Sequence, residues 1–322
     1  MIPERPPRPR TILILALTAS ILLTACGQSP TPSPSLQPAT PSGSPSPSPS
    51  PSPTPSPTPN PYNAELLDHR FTILIVGEDV DAARRARGYL GDNTDAIMLV
   101  SISPEQKRVT MVSLPRDTVD IPLANGLVWQ SKVNGIANTY GLDGLREALA
   151  TMWDIRIPYY VKVNMDDFVA LVDAVGGVNV NVQTVVQEPR WGLYLTPGRA
   201  HLDGITALHF SRARYYDNDF ARAARQQQVI RALAKAYSDP ETEIDLGALL
   251  ETLVGLETNL PLQDLPTLAL LTRRAGRADY TSEVLMPPQF ALNWGDLHDG
   301  RGWVIVPNVE AQRAEIKALF GD

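Results

Sequence analysis

The chain has 322 residues, a formal net charge of −7 and a hydrophobic fraction of 43%. Its length allows one large domain or two small ones, and its acidic balance argues against a nucleic-acid-binding surface. With 1 Cys and 4 His, the sequence excludes an internal disulfide framework and a Cys/His zinc site at ligand spacing.

The first residues predict a secretory signal and a lipid anchor. A basic start containing three Arg precedes the apolar run 11–25, which is short for a membrane-spanning helix of about 20 residues. The run ends in Leu-Thr-Ala followed by Cys26, which resembles a bacterial lipoprotein cleavage box. We predict a lipoprotein-type signal peptide at residues 1–25 and lipidation of Cys26, where several acyl chains give stable anchoring. A plain signal anchor with an incidental Cys is the alternative.

Residues 26–62 predict a linker. Ser-Pro and Thr-Pro repeats without a charged residue fill this stretch, and such a composition is typical of an extended polyproline spacer of about 3.1 Å per residue. The spacer would hold a domain away from a membrane; a disordered segment without that role is the alternative. The predicted folded domain is residues 63–322.

Strand-like and helix-like segments alternate through this domain. In chain order, strands are predicted at 71–77, 96–102 and 108–113, helices at 142–153 and 166–175, a strand at 178–182, helices at 204–211, 220–237, 246–256 and 262–273, a strand at 303–306 and a helix at 310–320. Asp203 and Asp219 are the expected N-caps of the third and fourth helices, and Asp166 or the preceding turn caps the second. This order predicts a single α/β domain, a central sheet covered by helices on both faces.

Arginines stand out where familiar catalytic motifs are missing. The sequence contains no Walker loop, dinucleotide fingerprint, G-x-S-x-G or H-E-x-x-H motif. Arg212 and Arg214 are two residues apart and would point the same way on an extended segment. Arg222 and Gln226 share a helix face near an N-terminus that favours anions. With Arg225, these guanidinium groups would suit a diphosphate, although a solvated basic helix face is the alternative.

Carboxylates and further cations lie at the ends of predicted strands. Asp79 follows the first strand and Asp95 precedes the second, so the two could hold Mg²⁺ with positions open for phosphate and water. As isolated residues they could equally serve as turn or cap residues. Arg116 projects from a loop fixed by a proline, and Lys132 lies on another loop; either could be a surface residue.

Seven motifs in order carry a family resemblance. They are GEDVD, NTDAIMLVSI, SLPRDTVDIP, KVNGIANTYG, LVDAVGGVNV, GITALHFSRAR and DFARAARQQQVI. The series resembles the successive motifs of the LytR-CpsA-Psr family and covers roughly residues 71–237, with 238–322 as the family's variable C-terminal part.

The resemblance implies a fold, a reaction and a location. Family members are extracytoplasmic α/β enzymes with a central mixed sheet, which transfer a glycopolymer from an undecaprenyl diphosphate carrier to peptidoglycan with Mg²⁺. By motif position, Asp79 and Asp95 would hold the metal, and the catalytic residues would be Arg116, Arg212 and Asp219, with Asp219 ordering the arginines or acting as a base. The diphosphate contacts would be Arg116, Lys132, Arg212, Arg214, Arg222 and Gln226. Arg225 matches the pattern as structural support.

Two departures from the family pattern leave alternatives open. Asn93 stands where the family usually has an Arg, and Arg84, Arg85 or Arg87 could substitute for it. The chain also has a predicted lipid anchor at Cys26 in place of the usual membrane-spanning helix, which keeps it on the same side of the membrane. A pyrophosphatase of prenyl diphosphates would use the same residues, and a non-catalytic envelope lipoprotein is a third interpretation.

Overall fold

The computed structural model describes residues 60–88 and 94–321. These residues belong to one compact unit, Thr58–Asp322. The predicted signal peptide, Cys26 and nearly all of the linker lie outside the described residues, and so does Asn93. Among the helices that the structure describes, none has the length and apolar character needed to cross a membrane.

Strands and helices alternate along the described chain. The strands are β1 Phe71–Glu78, β2 Thr94–Ile102, β3 Arg108–Ser113, β4 Ile121–Pro122, β5 Val128–Trp129, β6 Tyr159–Val163, β7 Val178–Val182, β8 Val186–Glu188, β9 Leu193–Leu195, β10 Gly198–Leu202, β11 Glu257–Thr258, β12 Asp279–Val284, β13 Ala291–Asp296 and β14 Trp303–Pro307. The helices are α1 Ala64–Asp68, α2 Ala82–Ala86, α3 Ile136–Trp153, α4 Met165–Asp173, α5 Gly204–Arg212, α6 Asp219–Ser238, α7 Leu246–Gly255, α8 Leu265–Ala275 and α9 Val309–Phe320.

A six-stranded mixed sheet forms the centre, in the order β11-β6-β1-β2-β3-β12. β1 pairs parallel with β6 and antiparallel with β2, while β3 pairs antiparallel with β2 and parallel with β12. The C-terminal ends of β1, β3 and β6 therefore meet the start of β2 at one edge of the sheet. The predicted mixed α/β sheet is confirmed, and the motif residues after β1 and β3 come to this common edge.

Helices cover both faces of the sheet, as predicted. Leu74 and Val76 of β1 are fully buried on one face, in a core that includes Leu145 of α3 and Ile316 of α9. Residues that alternate with them, such as Ile73, pack on the other face against α8. Burial of apolar area on both faces of β1 explains why this strand reads as a continuous apolar run.

A bulge in β2 presents Asp95 at the sheet edge. Gly77 pairs with Ala96 and Glu78 pairs with Thr94, so Asp95 is the extra residue between these pairs. A Cβ on Gly77 would lie 2.9 Å from the Cβ of Ala96, so the strands approach closely here because position 77 has no side chain. Bulges commonly re-aim a side chain beside a functional site.

One predicted N-cap is wrong by a single residue. Asn218, not Asp219, caps α6: its side-chain oxygen accepts hydrogen bonds from the backbone N–H groups of Phe220 and Ala221 at 3.1 and 3.0 Å. Asn218 has the extended backbone that an N-cap requires. Asp219 is the first helical residue, and its carboxylate is free of capping and turns toward the arginines.

Candidate functional site

A cleft of about 790 Å³ opens beside the sheet edge at which β1 ends and β2 begins. Its lining contains two kinds of side chain. The arginine–aspartate cluster consists of Asp79, Asp95, Arg212, Arg214, Asp219 and Arg222. The apolar wall consists of Met98, Val163, Phe168, Leu171, Ile230 and Leu233. A charged head and an apolar tail can therefore be bound in one continuous space.

Asp219 joins three of the arginines. Its Oδ1 accepts a hydrogen bond from Arg214 Nη1 at 2.8 Å, and its Oδ2 lies 3.5 Å from both Arg116 Nε and Arg222 Nη2. Burial acts to raise the pKa of Asp219, but the Arg214 hydrogen bond and the neighbouring guanidinium charges outweigh it, so the pKa lies below its usual value. Asp219 is therefore ionised at neutral pH and holds the arginines together.

Each predicted metal carboxylate is paired with a predicted diphosphate ligand. Asp95 Oδ1 accepts from Arg116 Nη1 at 2.7 Å, and the Asp95 carbonyl accepts from Arg222 Nη2 at 3.2 Å. Asp79 Oδ1 accepts from Arg212 Nη2 at 2.5 Å. The carboxylates that would hold the metal are thus already in contact with the arginines that would bind the phosphate.

The two carboxylates suit a cation that is shared with a phosphate. Asp79 follows β1, and Asp95 is the bulged residue of the neighbouring strand, so hard oxygen donors from both strands face one cleft. Within the described ranges, no group of three or more His, Cys, Asp or Glu side chains could hold a metal alone. Mg²⁺ commonly binds through one or two carboxylates plus phosphate oxygens and water, so this donor set fits it.

The backbone that positions Arg212 and Arg214 at the cleft differs from the one that the sequence predicted. The prediction that both lie on an extended segment is wrong, because α5 continues to Arg212 and the chain becomes extended only at Ala213. The Arg212 guanidinium lies 4.9 Å from the ring centre of Trp191, which stacks on His209. The helix end and this aromatic support orient Arg212 toward Asp79.

Arg116 and Lys132 are linked to the cleft through acidic neighbours. Lys132 Nζ lies 2.6 Å from Asp117 Oδ1, and Asp117 itself lines the cleft. Burial acts to lower the pKa of Arg116, but the charges of Asp95, Asp219 and Asp117 outweigh burial and raise it. Arg116 therefore keeps its positive charge next to the cleft.

Two buried guanidinium nitrogens in or next to the arginine–aspartate cluster make no hydrogen bond within the described chain. They are the Nε atoms of Arg116 and Arg222. Burial lowers the pKa of Arg222 and outweighs the opposite effect of the nearby Asp219 charge. A charged donor left without an acceptor is costly in a protein interior, so the pair favours an anionic ligand. Gln226 also lines the cleft, and its Nε2 lies 3.4 Å from the Ser211 carbonyl.

Arg225 is built into the protein rather than exposed to ligand. Its Nε donates to the Phe210 carbonyl at 2.9 Å, its Nη1 donates to Asp217 at 2.5 Å, and Nη2 donates to the Ala213 carbonyl. The side chain ties the end of α5 and the loop that follows to α6. This geometry agrees with the interpretation of Arg225 as structural support.

We predict that Arg225→Ala lowers the free energy of unfolding by about 3 kcal/mol, because two buried carbonyls and one carboxylate lose their donor. Urea denaturation of the variant measures the change. Arg231→Ala is the matched control, since Arg231 is exposed on the same helix. A loss no larger than that of the control would contradict the structural role.

The sequence analysis did not identify three residues near the cluster as site residues. Asp117 bridges Arg116 and Lys132, Glu188 is buried and accepts from the Arg214 backbone at 3.3 Å, and Trp191 supports Arg212. Asp117 directly follows the predicted site residue Arg116 in the sequence, and this position is a signal that could have identified it. The other two belong to a three-residue strand and a 3-10 turn, which carry no periodic signal.

The loop arginines that could compensate for Asn93 have different positions. Arg85 Nη2 lies 2.5 Å from Oε2 of Glu78, a buried residue that lines the cleft. Arg87 is exposed and donates to the Ala83 carbonyl. The Arg84 side chain lies outside the described part of the chain. Arg85 therefore contacts a residue of the cleft lining, whereas the hydrogen bond of Arg87 goes to α2, the helix that directly precedes it.

Comparison with known proteins identifies the relatives of this chain. It is 34% identical over 181 residues to biofilm regulatory protein A of Streptococcus mutans, covering 51% of this chain and 43% of that protein. It is 32% identical over 195 residues to the polyisoprenyl-teichoic acid–peptidoglycan teichoic acid transferase TagU of Bacillus cereus, covering 59% and 60%. The chain thus spans about half the length of these curated relatives.

Solved structures share the fold. TagV of B. subtilis superposes with a TM-score of 0.61 at 24% identity, covering 79% of this chain and 98% of TagV. TagT bound to LIIa-WTA superposes with a TM-score of 0.58 at 22% identity, covering 82% and 94%. Residues 49–285 match the LytR_cpsA_psr family, well beyond the range 71–237 over which the motifs were recognised. The chain therefore belongs to the LytR-CpsA-Psr family.

Proposed function

We propose that this chain is a phosphotransferase that moves a glycopolymer from an undecaprenyl diphosphate carrier to peptidoglycan. The observation that carries the proposal is the joining of the arginine–aspartate cluster and the apolar wall in one cleft. A lipid-linked diphosphate needs both surfaces at once. The TagU relatives, named as transferases of polyisoprenyl-linked teichoic acid to peptidoglycan, support the same donor and acceptor classes.

The reaction replaces the phosphoanhydride bond of the carrier diphosphate with a phosphodiester bond to the acceptor sugar. A hydroxyl oxygen of the acceptor sugar bonds to the phosphorus that carries the glycopolymer, and the bond from this phosphorus to the bridging oxygen breaks. Polyprenyl phosphate leaves, and the hydroxyl proton is released. Negative charge grows on the bridging oxygen, where Arg212, Arg214 and Arg222 would stabilise it.

The remaining residues have supporting roles in this proposal. Asp79 and Asp95 would hold Mg²⁺, which neutralises charge on phosphate oxygens when bound. Arg116, Lys132 and Gln226 would complete the diphosphate contacts. Asp219 would order the arginines, because it contacts three of them. Its lowered pKa makes it a weak base, so the role of general base is disfavoured. An extracytoplasmic location with a lipid at Cys26 would bring the cleft to a membrane-borne carrier.

Transfer from a labelled carrier-linked glycopolymer tests the proposal. The detergent-purified full chain is incubated with this donor and Mg²⁺, with and without peptidoglycan. We expect label in peptidoglycan and an equal amount of released polyprenyl phosphate. Equal release of the carrier without acceptor would instead identify a pyrophosphatase, and donor binding without any release would identify a non-catalytic binding protein.

A further inference from the structure

Two exposed tryptophans share one face of the hairpin formed by β13 and β14. Trp294 pairs with Ile305, and Asp296 pairs with Trp303. Paired residues lie on the same face, and so do residues two apart on one strand. Trp294 and Trp303 are therefore diagonal neighbours on one face, and each is 45% exposed.

The hairpin is fixed to the loop that follows β3. Ile305 donates its backbone N–H to the Asp117 carbonyl at 3.0 Å. Arg301 Nη1 donates to Asp120 Oδ1 at 2.9 Å. Trp303 lies between these two attachments and lines the cleft. These neighbouring contacts hold the hairpin in place, and Trp303 remains 45% exposed beside the site.

Neither tryptophan is fully buried by the packing of the hairpin. Val304 and Ile305 supply the buried contacts of β14, at 0% and 1% exposure. A single exposed aromatic residue is common on protein surfaces, but here two share a face and one lines the cleft. Indole rings are flat, rigid and apolar, and a pyranose ring has an apolar C–H face that can stack on them. The Asp117 carboxylate, also in the lining, can accept hydrogen bonds from sugar hydroxyls.

The apolar wall and Trp303 reach the cluster from different elements. Met98 follows Asp95 along β2, and Ile230 and Leu233 lie on α6, so this wall extends between the sheet and the helices. Trp303 instead belongs to the hairpin attached at Asp117. A glycan attached beyond the diphosphate is the part of a lipid-linked substrate that stands outside the apolar wall.

We propose that Trp303 and Trp294 form a saccharide subsite that stacks on successive pyranose rings next to the reacting phosphate. This inference rests on the proposed function and adds to it a specificity determinant of stated chemistry, a hexopyranose chain. The chain could belong to the carrier-linked glycopolymer or to peptidoglycan, and these two sources are separated by the experiment below.

Kinetics of the full chain test the subsite with three variants. Trp303→Leu keeps an apolar side chain but removes the flat ring, Trp303→Phe keeps a ring, and Val254→Ala changes a 78% exposed apolar residue of α7 that does not line the cleft. We expect Trp303→Leu to raise the KM for one glycan substrate about tenfold with little change in kcat. Trp303→Phe should recover most of the loss, and Val254→Ala should match the wild type. A rise for the acceptor assigns the subsite to peptidoglycan; a rise for the donor assigns it to the glycopolymer.

Calorimetric binding gives a readout independent of turnover. Soluble peptidoglycan fragments and glycopolymer fragments without lipid or phosphate are titrated into the wild type and Trp303→Leu, after thermal unfolding shows that both are folded. Loss of fragment binding in the variant supports the subsite. Unchanged KM values and unchanged fragment binding overturn it, even if the wild type transfers glycopolymer. Absence of transfer by the wild type overturns the proposed function, and fragment binding then decides the subsite alone.

Discussion

Arg212→Ala should lower the rate of glycopolymer transfer by about 100- to 1,000-fold without unfolding the protein. Arg212 is the last residue of α5, so shortening its side chain leaves the helix and its buried face in place. Its guanidinium lies between the Asp79 carboxylate and the Trp191 ring, and it lines the cleft. The variant would lose a fixed positive charge where negative charge develops.

Arg212→Lys separates charge from geometry in the same assay. Lysine keeps the positive charge but lacks the planar fork that binds two phosphate oxygens and stacks on an indole ring. We expect transfer to recover only in part. Arg231→Ala is the control for loss of a cation, because Arg231 is exposed and contacts Tyr280 instead. Transfer by Arg212→Ala at the rate of this control would contradict the assignment.

Asp219→Asn should lower transfer by about 100-fold with little change in side-chain shape. Three guanidinium groups lie within 3.5 Å of the Asp219 carboxylate. Removing its charge leaves these cations repelling one another, so their positions around the diphosphate are no longer held. Asp143→Asn is the matched control, since Asp143 is a surface residue with a 62% exposed side chain. Comparable transfer by both variants would show that Asp219 does not organise the site.

The pH dependence of stability gives a second readout of Asp219. Its pKa is lower in the folded protein than its usual value, so the carboxylate stabilises the fold above its unfolded pKa of about 3.9. That contribution is lost as the pH falls through the lower folded pKa. The difference in unfolding free energy between the wild type and Asp219→Asn should therefore be constant between pH 5 and 8 and shrink under more acidic conditions. A difference that instead shrinks near neutral pH would contradict this carboxylate assignment.

The strands that the sequence predicted are those with clear burial patterns. β1 and β3 are nearly continuous apolar runs, and β7 alternates fully between buried valines and exposed asparagines. β6 and β12 escaped prediction because most of their residues are only partly buried or exposed. β12 pairs with β3 at the edge of the sheet, and an edge strand need not be apolar on both faces.

The motifs predicted which residues carry charge near the site, but not how those residues are paired. The contacts of Asp95 with Arg116 and of Asp79 with Arg212 join residues 21 and 133 positions apart. Such contacts depend on the sheet order and on a one-residue bulge, which single-sequence patterns do not contain. The apolar wall could not be located either, because it is shared between two strands of the sheet and the two helices α4 and α6. Its residues have ordinary core periodicity on each element.

A structure of the full chain bound to a polyprenyl diphosphate and Mg²⁺ is the most direct measurement of the central claim. The account predicts that the diphosphate oxygens contact Arg212, Arg214 and Arg222, with Mg²⁺ between these oxygens and the two cleft carboxylates Asp79 and Asp95. The isoprenoid chain should continue along the apolar wall. A diphosphate bound elsewhere, with the arginine–aspartate cluster still paired only to itself, would contradict the account.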